Sequence, residues 1–204
     1  ITVIFGAIMF NRMMETSGAM NTLRSWLGNI SENPVAQLMI IGWAFAFMLE
    51  GASGFGTPVA IAAPILVGIG FKPMQVVMLA LVMNSVPVSF GAVGTPTWYG
   101  FKTLLDSGTI GGEDVSSIGK YSALIHFVAA FVIPILALRF IVSWKEIKQN
   151  ILFILLSVLS CTVPYLLIAQ FNYEFPSLVG GAIGLFVSVL LAGKGIGLAK
   201  TEQK

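Results

Sequence analysis

Two long apolar stretches of this sequence are each interrupted by a short segment rich in glycine and hydroxyl side chains. The interruptions cover residues 50–58 and 84–96, and both end in the same tripeptide, Gly-Thr-Pro. A threonine followed by a proline is typical of a helix start, with the threonine as N-cap and the proline as first helical residue. The pattern therefore predicts two broken helical elements that lie close together in the chain and restart in the same way.

The solvent for this chain is predicted to be a lipid bilayer. Only 10% of its residues are charged and its mean hydropathy is +0.91, whereas a soluble domain carries about 25% charged residues. The net charge of +2, without a basic cluster, gives no reason to expect a nucleic-acid partner. One cysteine and one histidine exclude an internal disulfide and a metal cluster of those residue types. No nucleophile–base pair or cofactor motif is visible, so neither enzymatic activity nor a cofactor is expected.

The hydropathy pattern predicts an all-α, multi-pass protein of the cell membrane in three sections. Residues 1–34 would hold the end of a cut membrane helix and then an amphipathic interfacial helix, with an ordinary loop as the alternative. Residues 35–120 hold both interruptions and, over 97–120, a polar external loop. Residues 121–204 hold a polar tail and three plain spans, at 121–142, 151–170 and 177–193. Because the chain begins inside an apolar run, we expect it to be a fragment of a longer protein.

The first interrupted stretch predicts a re-entrant helical hairpin. Its arms, 35–50 and 59–71, are each shorter than the roughly 20 residues that a spanning helix needs. If the hairpin enters and leaves on one side, nine Lys and Arg residues lie on that side and two on the other, as the positive-inside rule favours. The nine are Arg12, Arg24, Lys72, Arg139, Lys145, Lys148, Lys194, Lys200 and Lys204. Two full short spans would give the same count and stay open as the alternative.

The irregular backbone predicted at the two interruptions has a chemical consequence. Irregular backbone inside a membrane is tolerated only where it is buried in protein or lines a cavity. Each restarted helix would therefore point its free N–H groups and its positive dipole end into that cavity. That arrangement favours an anion, and since neither interruption contains Lys or Arg, we expect a small monocarboxylate. The alternative is that the glycines permit close helix packing and the prolines only kink helices. The candidate substrate-binding residues are Gly51, Ser53, Gly54, Phe55, Gly56, Thr57, Asn84, Ser85, Gly94 and Thr95.

The carboxyl group in the first interruption belongs to Glu50, at the end of the first arm. A charged carboxylate near the bilayer centre is costly, so a group that can be neutral or charged there is suited to carry a proton. We therefore expect Glu50 to couple transport to protons; the alternatives are capping of backbone N–H groups in the tip and direct contact with substrate. His126 is expected to face the loop interface or bond a neighbouring helix, with proton relay as the alternative. Tyr165 is predicted to lie at the membrane interface.

The segment "FMLEGASGFGTPVAIAAPILVGIGFKP" is followed in this chain by "NSVPVSFGAVGTP". In order and spacing the two segments resemble the signatures of the L-lactate permease family of proton-coupled monocarboxylate transporters. The resemblance assigns to the signatures Glu50, Gly51, Gly54, Phe55, Gly56, Pro58, Asn84, Pro87, Gly91, Gly94 and Pro96. Ser53 and Thr57 depart from the pattern, because familiar members carry small apolar residues there.

The resemblance implies a secondary transporter that takes up L-lactate, often glycolate as well, together with a proton. It also implies two inverted repeats, each with a re-entrant hairpin and a broken helix, of which this chain would supply one. The second half of the transporter would then lie outside this chain, and a homo-oligomer stays open. The extra hydroxyls at Ser53 and Thr57 leave a sodium-coupled carboxylate transporter as an alternative, beside a passive anion channel and a purely structural membrane subunit.

Overall fold

The computed structural model describes residues 9, 12–13, 16–54 and 56–199. The regular structure in that part of the chain is entirely helical. Its helices are α1 (Ala19–Gly28), α2 (Pro34–Ser53), α3 (Thr57–Ile69), α4 (Pro73–Asn84), α5 (Gly91–Gly100), α6 (Lys102–Asp106), α7 (Gly112–Ala129), α8 (Ile133–Leu138), α9 (Trp144–Gln149), α10 (Ile151–Ala169) and α11 (Pro176–Gly193). The predicted all-α fold is therefore confirmed.

Three of the described helices, α2, α10 and α11, are long and apolar enough to cross a membrane. A fourth crossing arises if α4 and the helical segment Val88–Asp106 count as one span, although these two are bent by 69° at the break between them. The chain is therefore part of a multi-pass membrane protein that contains a broken helix, as predicted. The spans expected at 151–170 and 177–193 correspond to α10 and α11.

Helices α2 and α3 form a helical hairpin, but α2, with 20 residues, is long enough to cross a membrane, so re-entry stays a prediction. Helix α2 begins where the Asn33 side chain accepts hydrogen bonds from the backbone N–H groups of Val35 (2.9 Å) and Ala36 (3.3 Å). It passes through a buried π-helical segment, Leu38–Phe45, and does not stop at the carboxyl-bearing residue. It ends at Gly54, whose φ of 59° does not fit a right-handed helix. Helix α3 then returns alongside α2 and packs against it.

Two boundaries expected from the sequence are wrong, and one predicted helix is shorter than expected. The amphipathic helix predicted within 11–34 corresponds to α1. The membrane-helix end predicted before it lies, except for Met9, outside the described residues. The polar loop expected at 97–120 contains α6 and the start of α7, because the Asp114 carboxylate accepts from the Gly111 N–H (2.8 Å) and caps α7 there. The span expected at 121–142 is broken at 130–132, because Pro134 cannot donate a backbone hydrogen bond to residue 130.

Helix α11 fits closely between α2 and α10, and glycines make that approach feasible. A Cβ atom on Gly181 would overlap the Met48 backbone and lie 2.8 Å from the Phe47 carbonyl carbon. A Cβ atom on Gly184 would overlap Cys161, whose thiol is buried in this contact as a packing group. Small residues are the usual means by which membrane helices approach each other. The three helices therefore form a tight core that holds the hairpin in place.

This packing predicts that Gly181→Ala destabilises the protein. Overpacking against backbone costs about 1–3 kcal/mol, so we expect a lower unfolding temperature in detergent. Gly193→Ala is the matched control, because a Cβ atom there meets nothing within 4 Å. Equal unfolding temperatures for the two variants would contradict the proposed fit of α11 between its neighbours.

Candidate functional site

The two Gly-Thr-Pro tripeptides adopt the same backbone geometry. Gly56 has φ 78° and ψ 5°, and Gly94 has φ 74° and ψ 7°, both in the left-handed region that glycine tolerates best. Regular helix begins at the next residue, Thr57 or Thr95. The prediction that a half-helix begins at each tripeptide is therefore confirmed. The predicted threonine N-cap is wrong, since Gly56 holds the N-cap position of α3 and Thr57 is already the first helical residue.

Glu50 lies where the hairpin meets the second break. Its side chain is only 1% exposed. The Asn84 amide Nδ2 donates to Glu50 Oε2 at 3.2 Å, and the Gly56 backbone N–H also faces the carboxyl group. A Cβ atom on Gly91 would overlap the carboxyl and lie 3.1 Å from its Cδ. The site therefore encloses one buried carboxyl group among neutral polar partners drawn from both interruptions.

The tip of the hairpin touches the second break directly. A Cβ atom on Gly54 would lie 2.8 Å from both the backbone nitrogen and the Cβ of Ala92. On its other side the tip contacts the start of α11, where a Cβ atom on Gly51 would lie 2.5 Å from the Ser177 carbonyl carbon. A Cβ atom on Gly94 would likewise lie 2.5 Å from the Tyr173 carbonyl oxygen. Close packing, the alternative role of these glycines, is therefore present at all three positions.

Side-chain hydroxyls from other helical segments satisfy the carbonyl groups of the second break. Three carbonyls between α4 and α5 accept such bonds: Val86 from Tyr165 (3.4 Å), Pro87 from Ser177 (2.7 Å) and Ser89 from Thr97 (2.6 Å). Because lipid offers no hydrogen bonds, these donors allow the backbone to leave the helical path at this depth. The break is thus a fixed structure and not a loose loop.

The backbone of the second break is also strained. Ala92 has φ 45° and Val93 has φ 54°, and both precede the left-handed Gly94. A left-handed conformation costs a non-glycine residue about 1–2 kcal/mol, and a β-branched valine is an outlier there. The Thr95 hydroxyl donates to the Ala92 carbonyl at 2.6 Å and closes this turn. Strain of this kind persists only where surrounding contacts hold it, and it is common at functional sites.

Not every predicted binding group faces a shared cavity. The hydroxyls of Ser53 and Ser85 donate back into their own helices, to the Leu49 carbonyl (2.8 Å) and the Val82 carbonyl (2.7 Å). Ser53 and Ser85 are exposed, and Thr57 is half-buried. The predicted Phe55 lies outside the described residues. The site accordingly divides into a buried part around Glu50 and an outward part at the tip.

The expectation of free N–H groups at the first restarted helix is only partly met. The Thr57 N–H donates to the Gly54 carbonyl (3.0 Å) and the Val59 N–H to the Gly56 carbonyl (3.1 Å). Pro58 has no N–H to offer. The helix dipole remains, but few backbone donors are left to bind an anion directly. The Thr57 hydroxyl, which caps no backbone group, is the remaining polar group at this helix start.

Sequence reasoning missed part of the support for this site. Tyr165 is fully buried, with its ring between Phe47 and Phe90, so its predicted place at the membrane interface is wrong. The expected bond from His126 to a neighbouring helix is confirmed, because its Nδ1 lies 2.8 Å from the Tyr165 hydroxyl. Ser177 gave no signal beyond following a proline at a helix start. No group of three or more His, Cys, Asp or Glu side chains among the described residues could hold a metal ion.

Comparison with known proteins gives one consistent family. A family model described as L-lactate permease matches residues 1–196. A Haemophilus influenzae protein with L-lactate permease in its name is 68% identical over 203 residues, which are 100% of this chain and 37% of that protein. An L-lactate permease of Halalkalibacterium halodurans is 38% identical over 83% of this chain and 32% of its own length. A glycolate permease of Escherichia coli K12 is 33% identical over 72% of this chain and 25% of its own length.

The chain thus spans between 25% and 37% of the length of these relatives. No solved structure matches it. The two signatures described above both lie within the matched residues.

The contact between Gly91 and Glu50 predicts a specific coupling. Gly91→Ala should lower the unfolding free energy by about 1–3 kcal/mol, because the added methyl overlaps the carboxyl group. In a Glu50→Ala background the same substitution should cost less than half as much, since the overlapping group is gone. Gly100→Ala serves as control, because a Cβ atom there meets nothing within 4 Å. Additive effects of the two substitutions in thermal unfolding would argue against this contact.

Proposed function

Because this chain belongs to the L-lactate permease family, we propose that it forms part of a proton-coupled secondary transporter for small 2-hydroxy monocarboxylates. L-lactate and glycolate are the expected substrates, since relatives named for each compound align with this chain. The observation that carries the coupling proposal is the buried Glu50 carboxyl at the meeting point of the two broken elements. Other parts of a full-length transporter would complete the substrate site.

Glu50 suits the role of proton carrier because of its surroundings. A buried carboxylate is costly unless an opposite charge or several hydrogen bonds compensate it. The partners of Glu50 are the neutral Asn84 amide and backbone groups, so binding a proton removes a charge that no partner among the described residues balances. Release of that proton towards water on the opposite side of the membrane would complete one coupled step.

Asn84 can serve both forms of this carboxyl group. Its Nδ2 donates to Glu50 Oε2, which suits the ionised form. Its Oδ1 is buried without a hydrogen-bond partner among the described residues. Since the two ends of an amide differ only by a half-turn, Oδ1 can instead accept the hydrogen of a protonated carboxyl. We therefore include Asn84 with Glu50 in the proton-coupling pair.

The outward part of the tip is the proposed place for the substrate. Ser53, Gly56 and Thr57 lie at or near the surface there, next to the positive dipole end of α3. A carboxylate held by hydroxyls and a dipole, without a Lys or Arg partner in either interruption, binds weakly enough to be released. A 2-hydroxy acid also offers a hydroxyl group that can bond these side chains in return.

A sodium-coupled carboxylate transporter is the second candidate, and one observation favours it. The unpartnered Asn84 Oδ1 and the Glu50 carboxylate are both hard oxygen donors in one buried place. Such oxygens are the ligands that hard cations prefer. In this case Na⁺, and not a proton, would neutralise Glu50 during transport.

We predict that full-length protein in sodium-free liposomes accumulates radiolabelled L-lactate when the outside is acidic, and that a protonophore abolishes accumulation. Glu50→Gln should reduce this uphill uptake at least about tenfold, because an amide can neither bind nor release the proton. Asp106→Asn is the matched control, since Asp106 is an exposed carboxyl group of α6. Uphill uptake by Glu50→Gln at the wild-type rate would sink the proton-coupling proposal.

Asn84→Ala gives a second, independent test. Loss of a hydrogen bond to a charged group costs about 1.5–3 kcal/mol, so we expect a loss of roughly tenfold or more in the initial rate of proton-driven uptake. Gln170→Ala, whose amide bonds its own helix at the Leu166 carbonyl, should stay near the wild-type rate. Wild-type uptake that requires sodium at fixed pH, with an apparent sodium affinity weakened by Asn84→Ala, would support the second candidate instead.

A further inference from the structure

A hydrogen-bonded pair outside the site described above, made of the half-buried His126 and the buried Tyr165, reaches the second break. His126 of α7 places its Nδ1 2.8 Å from the Tyr165 hydroxyl of α10. The same hydroxyl lies 3.4 Å from the Val86 carbonyl, two residues beyond the Glu50 partner Asn84. One phenol group thus connects a helix outside the hairpin with the backbone of the break.

The position of the phenol group is fixed by its ring. The Tyr165 ring makes edge-to-face contacts with Phe47 of α2 (5.5 Å between centroids) and with Phe90 beside the break (5.3 Å). Edge-to-face aromatic pairs stabilise by more than their buried area alone. The hydroxyl oxygen therefore cannot move to another partner without disturbing both the hairpin and the break.

The number of hydrogens available decides which contacts can form together. A tyrosine hydroxyl has one hydrogen to donate and can also accept. If the His126 Nδ1 carries a hydrogen, it donates to Tyr165, and Tyr165 donates to the Val86 carbonyl. If the Nδ1 is bare, the single hydroxyl hydrogen goes to the imidazole, and the Val86 carbonyl is left without this donor. Both contacts exist together only with a hydrogen on Nδ1.

We propose that His126 and Tyr165 are positioning residues of the transport site, in which a hydrogen on the His126 Nδ1 directs the Tyr165 hydroxyl onto the Val86 carbonyl. The pair thereby holds the backbone that leads from Asn84 into the strained turn at Ala92 and Val93. Its effect on transport rests on the proposed function, whereas its effect on the shape of the break does not.

A hydrogen bond can also be merely structural, and the chain offers a matched example. The hydroxyls of Ser157 and Ser188 lie 2.8 Å apart, and both residues are fully buried between α10 and α11. This bond joins two spanning helices and does not end on the backbone of the break. Ser157→Ala therefore removes a bond as long as the His126–Tyr165 bond and more deeply buried, and any effect of Tyr165→Phe beyond that of Ser157→Ala is due to the break.

The direct test is hydrogen exchange on the full-length protein, read in peptides that cover residues 84–96. Tyr165→Phe and His126→Leu should each speed exchange there by about 2- to 10-fold, the range expected for loss of one hydrogen bond. Ser157→Ala should not change exchange in these peptides. His126→Asn should retain most of the protection, because its amide nitrogen is attached to Cγ as Nδ1 is. The double variant His126→Leu/Tyr165→Phe should be no faster than Tyr165→Phe alone.

Transport kinetics supply the second readout. Tyr165→Phe should raise the KM for L-lactate by about 2- to 10-fold, whereas Ser157→Ala should lower only the unfolding temperature. Unchanged exchange at 84–96 in Tyr165→Phe, or an equal change in Ser157→Ala, would overturn the proposal. Wild-type protein that takes up no lactate would refute the proposed function, and the exchange experiment would still decide the role of His126 and Tyr165.

Discussion

The architecture depends on one constraint, which is that backbone leaving a helix inside a membrane must find its hydrogen bonds within the protein. In the second break this demand is met by three hydroxyl donors from different helical segments, Tyr165, Ser177 and Thr97. One of those donors, Ser177, lies at the start of α11, and glycine contacts let α11 lie directly against α2 and α10. The small residues in the core thus support the irregular backbone of the site, because they allow the close helix packing that brings a hydrogen-bond donor to it.

The same arrangement explains why a carboxyl group can lie at the centre. Glu50 ends up at the junction of hairpin and break, where polar backbone is already concentrated and Asn84 supplies an amide. An apolar helix packed against α2 would offer no such partner. The meeting of the two broken helices therefore also creates the surroundings in which a single buried carboxyl group is tolerated.

The sequence predicts the local features of this site well. The repeated tripeptides mark both helix restarts, and the isolated Glu50 marks the buried carboxyl group. What the sequence does not reveal are contacts between distant segments: Tyr165 and Ser177 bond carbonyls 79 and 90 residues earlier in the chain. A hydropathy pattern contains no information about such distant partners, so Tyr165, near the end of an apolar span, is assigned to the membrane interface. The extended start of α7 is missed because a capping carboxylate, Asp114, outweighs the polarity of the segment.

The contact between Gly54 and Ala92 has a mechanical consequence. Because even a single Cβ atom on Gly54 would come within 2.8 Å of Ala92, neither backbone has room to slide past the other. The hairpin tip and the second break are therefore expected to travel as one solid piece whenever the protein changes shape. Any relative motion of the surrounding helices then has to occur at the outer boundaries of this piece, and Glu50 and the hydroxyl groups of the tip keep their mutual distance throughout.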